Sequence, residues 1–272
     1  MGIPMWMMDF LNVGGSWDLG MAIWELTLGM IFGIMTQDPE TWGGQPLQTL
    51  VFRVLLPWSQ GIGIALLNSF FLIGFYKNVS NIKENLTFEI LLTHLLKLVI
   101  ANGVILGLLN SARAMFWLAR TLVSHVPGLV EQAELYHPYN TTFSLLDIIL
   151  GGIFFPLIAI ACSFMMLLTV YGRFLKLYLV VIMGPVALAT LPGGSGINQT
   201  ASAWIKSFLA YNFEIVVIAI TLAIVTTMMQ GGTEFSGGFT GMGTYLNASF
   251  SMILVTASVK GVDTFIKRTL GL

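Results

Sequence analysis

Apolar residues run through the chain in long blocks separated by short polar or glycine-rich breaks. A helix needs about 20 mostly apolar residues to cross roughly 30 Å of hydrocarbon. Five blocks qualify, over 54–76, 86–109, 145–171, 174–191 and 203–230. Only Gly172 and Arg173 separate the third from the fourth, which predicts an antiparallel helical hairpin turning there. Pro156 and Pro185 sit inside these two blocks and predict kinks, because proline lacks the N–H of the helix ladder and clashes with the preceding turn. The pattern predicts an all-α, polytopic membrane protein.

Three weaker patterns flank these blocks. Trp17–Met35 is long enough to span but carries Asp18 and Glu25. Tyr245–Phe265 mixes Asn247, Ser249, Ser251, Thr256, Ser258, Lys260 and Asp263 with its apolar residues. Both read as interfacial, re-entrant or subunit-packed helices. Residues 111–130 place Arg113, Arg120 and Ser124 on one side at helical spacing and predict an amphipathic surface helix, followed by an exposed loop from Pro127 to Thr142. The expected organisation is an extracytoplasmic segment over 1–53, a five-span core over 54–230, and a Gly-rich loop with a C-terminal amphipathic helix over 231–272. Leu-Leu-Asn-Ser recurs at 66–69 and 108–111, but no long-period repeat accompanies it.

Composition sharpens the class. The 272 residues are 56% hydrophobic and 9% charged, against about 25% charged in a soluble domain. Twelve Lys/Arg and thirteen Asp/Glu give a net charge of −1, so no global field attracts nucleic acid. Cys162 is the one cysteine, which forbids an internal disulfide. The stretch MGIPMWMMDF has no basic residue ahead of its apolar ones, so a cleaved signal peptide is not expected. With five spans and an external N-terminus, Lys77, Lys83, Arg173, Lys176, Lys260, Lys267 and Arg268 fall in the cytoplasm. Arg53, Arg113, Arg120 and Lys206 then fall outside, seven bases against four.

Catalytic chemistry finds little footing. Gly193-Gly194-Ser195-Gly196 is similar to the Gly-x-Ser-Gly signature of rhomboid proteases, but such a serine needs a base and no histidine follows His137. The segment reads as a glycine turn between spans. His94, His125 and His137 lack metal-ligand spacing and no nucleotide-binding glycine motif is present, so no catalytic residue, metal or cofactor is expected. Ionisable residues in the apolar blocks are the better signal, since a mid-bilayer charge costs about 2.5–3.5 kcal/mol and turns toward protein or water. Glu89, Thr93 and Lys97 repeat every fourth residue, His94 lies beside Lys97, and Glu214 stands in the last block. They form either a polar strip along a water-filled path, with Lys97 and Glu214 as counter-ions, or a buried contact between helices or subunits. Gly103 and Gly107 form GxxxG, which predicts close helix packing.

One stretch carries a family resemblance. Tyr171-Gly172-Arg173-Phe174-Leu175-Lys176-Leu177-Tyr178, then Val180–Ala189 with Gly184-Pro185, then Ala203–Gln230, resembles the TrbL-like polytopic inner-membrane subunit of type IV secretion and conjugative transfer systems. The resemblance covers about Val54 to Gln230. It implies a non-enzymatic channel or scaffold subunit in the bacterial cytoplasmic (inner) membrane, assembled as a homo-oligomeric ring. The implied partners are secretion ATPases, other envelope channel subunits, membrane lipid, and single-stranded DNA with its relaxase or protein cargo in transit. Arg173 and Lys176 are then expected at the cytoplasmic mouth. A stand-alone solute transporter or ion channel built on the Glu/His/Lys strip is the alternative.

Overall fold

The computed structural model describes residues 13–81, 88–126, 150–193, 196–230 and 242–272. All regular structure among them is helical: α1 (Val13–Met35), α2 (Gly44–Gln48), a π-helix (Thr49–Leu55), α3 (Leu56–Asn81), α4 (Phe88–Leu106), α5 (Leu108–Ser124), a second π-helix (Leu150–Phe154), α6 (Phe155–Leu188), a 3-10 turn (Leu191–Gly193), α7 (Gln199–Gln230) and α8 (Met242–Thr269). Five stretches among the described residues are long and apolar enough to cross a membrane: Asp18–Met35, Gly44–Tyr76, Gly152–Gly193, Gln199–Val225 and Leu246–Thr269. The chain is a multi-pass helical membrane protein.

The count of five agrees with the apolar pattern, but its membership differs. α6 runs unbroken for 34 residues through Gly172 and Arg173, so the predicted hairpin between 145–171 and 174–191 is replaced by one helix. A lone glycine in a helix costs only about 1 kcal/mol relative to alanine, too little to force a turn. Arg173, whose charge suggested a solvated corner, is buried instead. The block over 86–109 is interrupted at Gly107, where Leu95–Leu106 and Leu108–Ser124 meet with a bend of 58°. The terminal segments, expected to be interfacial or re-entrant, have the length and composition of spans. The amphipathic helix over 111–130 corresponds to α5, which buries Leu108, Ala112, Phe116, Ala119 and Val123 along one stripe and exposes Arg113 and Arg120. The loop from Pro127 to Thr142, residues 145–149, Ser195 and most of the Gly-rich segment over 231–243 lie outside the described residues.

Of the two prolines expected inside helices, Pro156 stands at a helix start and Pro185 lies within its helix. Pro156 is the second residue of α6, where a missing N–H breaks no ladder bond, and Pro57 holds the same place in α3. Each follows directly on a π-helix, whose wider turn carries carbonyls past a residue that cannot donate to them. Pro185 does lie inside α6, three residues before its end, and its own carbonyl accepts from Ala189 N–H at 3.0 Å.

The chain divides into two compact units: Met1–Thr36 with Leu122–Gly172 and Ile215–Asp263, and Gln37–Thr121 with Arg173–Glu214 and Thr264–Leu272. By sequence range the first holds one of the twelve Lys/Arg and eight of the thirteen Asp/Glu, a net −7. The second holds eleven and five, a net +6. They are called the acidic and the basic unit below.

In the acidic unit α1 buries Met21, Trp24, Leu28, Ile31 and Met35, a stripe at spacings of three and four that faces protein while Leu19, Leu26 and Met30 stay exposed. Gly20 admits α6 closely: a Cβ there would lie 2.8 Å from the Phe155 ring and 3.3 Å from Pro156 Cα. The polar residues that made the C-terminal helix look subunit-packed are covered by the chain itself, since Ser249, Ser251 and Thr256 are buried. Thr256 donates its hydroxyl proton to the Met252 carbonyl one turn back at 2.8 Å.

In the basic unit α3 packs against α4 and the 3-10 turn. Two glycines set the approach. A Cβ on Gly63 would lie 2.6 Å from the Pro185 carbonyl oxygen, and one on Gly74 would meet the Pro192 carbonyl. They lie three turns apart on one face of α3, so small residues do bring backbones together, as membrane helices require in place of a hydrophobic driving force. Among the described residues the GxxxG pair brings no second helix close. A Cβ on Gly103 would meet nothing within 4 Å, and Gly107 marks the bend.

Candidate functional site

The basic unit contains the one arrangement that gathers several of the predicted functional residues. Arg173, near the middle of α6, is 2% exposed. Its Nε donates to the Tyr211 carbonyl at 3.2 Å and its Nη2 reaches the Asn212 carbonyl at 3.5 Å, both on α7. A helical carbonyl has a second lone pair beyond its ladder bond, so a guanidinium can tie to a neighbouring helix without unravelling it. Glu214, 1% exposed, is the carboxylate whose field acts on Arg173. Asn212 donates Nδ2–H to Phe208 O at 2.8 Å, and its buried Oδ1 has no hydrogen-bond partner among the described residues.

Aromatic rings complete the cluster. Arg173 Cζ stands 5.2 Å from the centroid of the Phe174 ring, and Trp42 stacks on Phe174 with centroids 4.4 Å apart and planes 7° off parallel. One turn on, Tyr178 donates its hydroxyl proton to the Pro39 carbonyl at 2.7 Å, with the Trp42 carbonyl at 3.3 Å, and Phe52 meets its ring edge-on at 5.9 Å. The connection between α1 and α2 is thereby held at both ends. Its outer side is tied by Glu40, which accepts from Arg113 Nε and Nη2, each at 2.7 Å, in a two-point fork. The hydrogen bond from Arg113, with its charge, holds the Glu40 carboxyl below the usual carboxylate range against the opposing effect of partial burial.

The other ties in this unit repeat one device, a side chain donating to a backbone carbonyl on another helix. Ser59 gives its proton to Ile182 O, Gln60 Nε2 reaches Ile105 O at 3.0 Å, and Trp204 Nε1 reaches Val180 O at 2.7 Å. Trp204 is half-buried, stacked on Phe208 and close to Gly184, while Trp58 and Trp117 are exposed.

The predicted site residues therefore separate. Arg173 and Glu214 come together in a buried cluster. Lys97 is exposed, so Glu214 has Arg173 and not Lys97 as its counter-charge. Arg173 is likewise withdrawn from any surface, which leaves only Lys176 of the expected mouth pair partly open. Lys176 Nζ lies 5.8 Å from the Tyr211 ring centroid, and Lys267 Nζ lies 5.3 Å from the same ring. Glu89 and His94 are on α4, with side chains outside what is described. Among the described residues no group of three His, Cys, Asp or Glu could hold a metal ion.

Reasoning from sequence missed Trp42, Tyr178, Tyr211, Lys206 and Gly63. The i, i+4 pair Phe174 and Tyr178 was a signal for an aromatic anchor. A carbonyl acceptor leaves none, because every residue type carries it. Comparison with protein-family models, with curated proteins and with solved structures finds no match for this chain.

Proposed function

We propose that this protein is a non-enzymatic channel or scaffold subunit of a type IV secretion or conjugative transfer machine, working as a ring of copies in the cytoplasmic membrane of a bacterium. The division of charge carries the reading: eleven of twelve basic residues fall in one unit. Six of these, Lys77, Lys83, Arg173, Lys176, Lys267 and Arg268, are bases that the positive-inside pattern assigns to the cytoplasm, the compartment where energy-supplying ATPases and anionic nucleoprotein cargo are found. The buried Arg173–Glu214 cluster supports the same reading, because it ties helices together and leaves neither charge for a solute. The alternative, a stand-alone solute transporter or ion channel using Glu89, His94, Lys97 and Glu214, would draw on a carboxylate that is buried beside Arg173.

The test is a mild-detergent pull-down of the tagged chain from its own cells, with mass spectrometry of what accompanies it and mass photometry of the particle. Secretion-type ATPases and envelope subunits in a particle of many copies are the expected result. A stable monomer or dimer without such partners overturns the proposal.

A further inference from the structure

We infer that α3 is the helix through which copies of this chain meet, its outward face packed on α3 of a second copy and its Asn68 amide bonded to that copy's Asn68. The inference rests on the part of the proposed function in which copies assemble. Trp58, Gly61, Ala65, Asn68, Leu72 and Tyr76 recur at spacings of three and four along α3, and all are exposed. Leu56, Ser59, Gly63, Leu67 and Gly74 on the opposite side are buried, and there Gly63 and Gly74 admit the end of α6 and the 3-10 turn. The outward face has small residues of its own in Gly61, Ala65 and Ser69, one turn apart. A Cβ on Gly61 would meet nothing within 4 Å, so a backbone outside the chain can come as close as those inside it.

The amide selects the occupant. Trp58 and Tyr76 stand 18 residues apart on this face, about 27 Å along the axis. That is close to the thickness of the hydrocarbon layer, whose two boundaries tryptophan and tyrosine favour. Asn68 lies near the midpoint, and no charged residue stands between Arg53 and Lys77. Acyl chains offer an amide no hydrogen bond, and among the described residues Asn68 makes none. Ser69 beside it returns its proton to Ala65 O at 3.3 Å. Copies in one ring share an orientation, so their Asn68 side chains meet at equal depth. An amide both donates and accepts, so each copy can give to one neighbour and accept from the other at any copy number. Other open glycines lack this complement. Asn102 beside Gly103 is half-buried and donates to Leu98 O at 3.1 Å. The face of α1 that carries Gly29 and Gly33 also exposes Asp18 and Glu25, like charges that oppose contact with themselves.

Disulfide trapping in membranes and mass photometry in mild detergent test the inference. Cys162 is the one cysteine, so Cys162→Ser gives a background without thiols. In it, Asn68→Cys oxidised with copper phenanthroline should yield a covalent dimer, and Val104→Cys, exposed on α4, should not. Asn68→Leu suits lipid and keeps the fold, yet should weaken each contact between copies about three- to thirtyfold, so that the particle dissociates on dilution. Gly61→Leu should do the same by bulk, while Gly103→Leu, equally open on α4, should leave the particle whole. A high-order wild-type particle that survives both α3 substitutions, or trapping at 104 without trapping at 68, overturns this inference and leaves the ring standing. A wild-type monomer overturns both.

Discussion

The acidic and basic units hold apolar helices together in different ways. In the acidic unit Trp24 lies in a buried stripe, Phe155 is seated over Gly20, and Thr27 and Thr256 return their protons to carbonyls of their own helices. In the basic unit Ser59, Gln60, Arg173, Tyr178 and Trp204 each donate to a carbonyl of another segment. Shape-matched contacts in lipid depend on close fit and tolerate polar loss. Polar ties fix register, and leave a buried group stranded when one member is removed. The two units should therefore fail under different substitutions.

The largest difference is expected at Arg173. Arg173→Ala removes both ties to α7 and the cation whose field acts on buried Glu214, which should cost about 3–5 kcal/mol, read as a lower melting temperature of the purified protein in detergent. Lysine cannot restore two donors in a fork, so Arg173→Lys should recover only part of that loss. Ser163→Ala, an equally buried polar site of the acidic unit, should be near neutral, because Ser163 Oγ has no partner among the described residues. Equal effects at the two sites would erase the distinction.

A middle-sized effect is expected from glycine replacement. Gly63→Ala drives a methyl into the Pro185 carbonyl and should destabilise by about 1–3 kcal/mol. Gly103→Ala meets open space on a helix and should stabilise by about 0.5–1 kcal/mol. Thermal melts of the two variants in parallel would decide the matter, and a loss at Gly103 would show that its face is occupied in the assembled protein.

The smallest effect belongs to Glu40. Its folded-state carboxyl titrates lower than in the unfolded chain, so the contribution is complete above the usual carboxylate range and is lost as pH falls through the lowered value. Arg113 is 48% exposed at the side chain, so screening keeps the effect small. Trp42 fluorescence should report loosening of the α1–α2 connection at acid pH, and Glu40→Gln should reproduce the acid signal at neutral pH and flatten its pH dependence.

Much of the fold could be read from the residues. The apolar blocks gave an all-helical membrane protein, and the spacing of Arg113 and Arg120 gave an amphipathic α5 on which both are exposed. Glu214 was singled out because a charge in an apolar helix seeks a partner, whereas Arg173 was expected in a turn at the cytoplasmic mouth. Lys97 followed the same rule and went elsewhere, since spacing places it on a face without saying which face meets protein. The uninterrupted course of α6 could not be read, because the group that makes burial of Arg173 affordable is a backbone carbonyl 38 residues away. Gly63 packs closely without a GxxxG motif, so that motif is one signal of close approach among others.

The uninterrupted α6 has a geometric consequence. At 1.5 Å per residue its 34 residues extend about 51 Å, against roughly 30 Å of hydrocarbon. Membrane helices tilt by up to about 40°, which shortens the projected length only to about 39 Å. About eight residues or more must then leave an undeformed hydrocarbon layer, or the layer must thicken around them. Because Leu157 near one end and Met183 near the other are both exposed and apolar, neither end is built for open water. The helix therefore works on the bilayer as a mismatched strut, and lipids around it are pulled from their resting thickness.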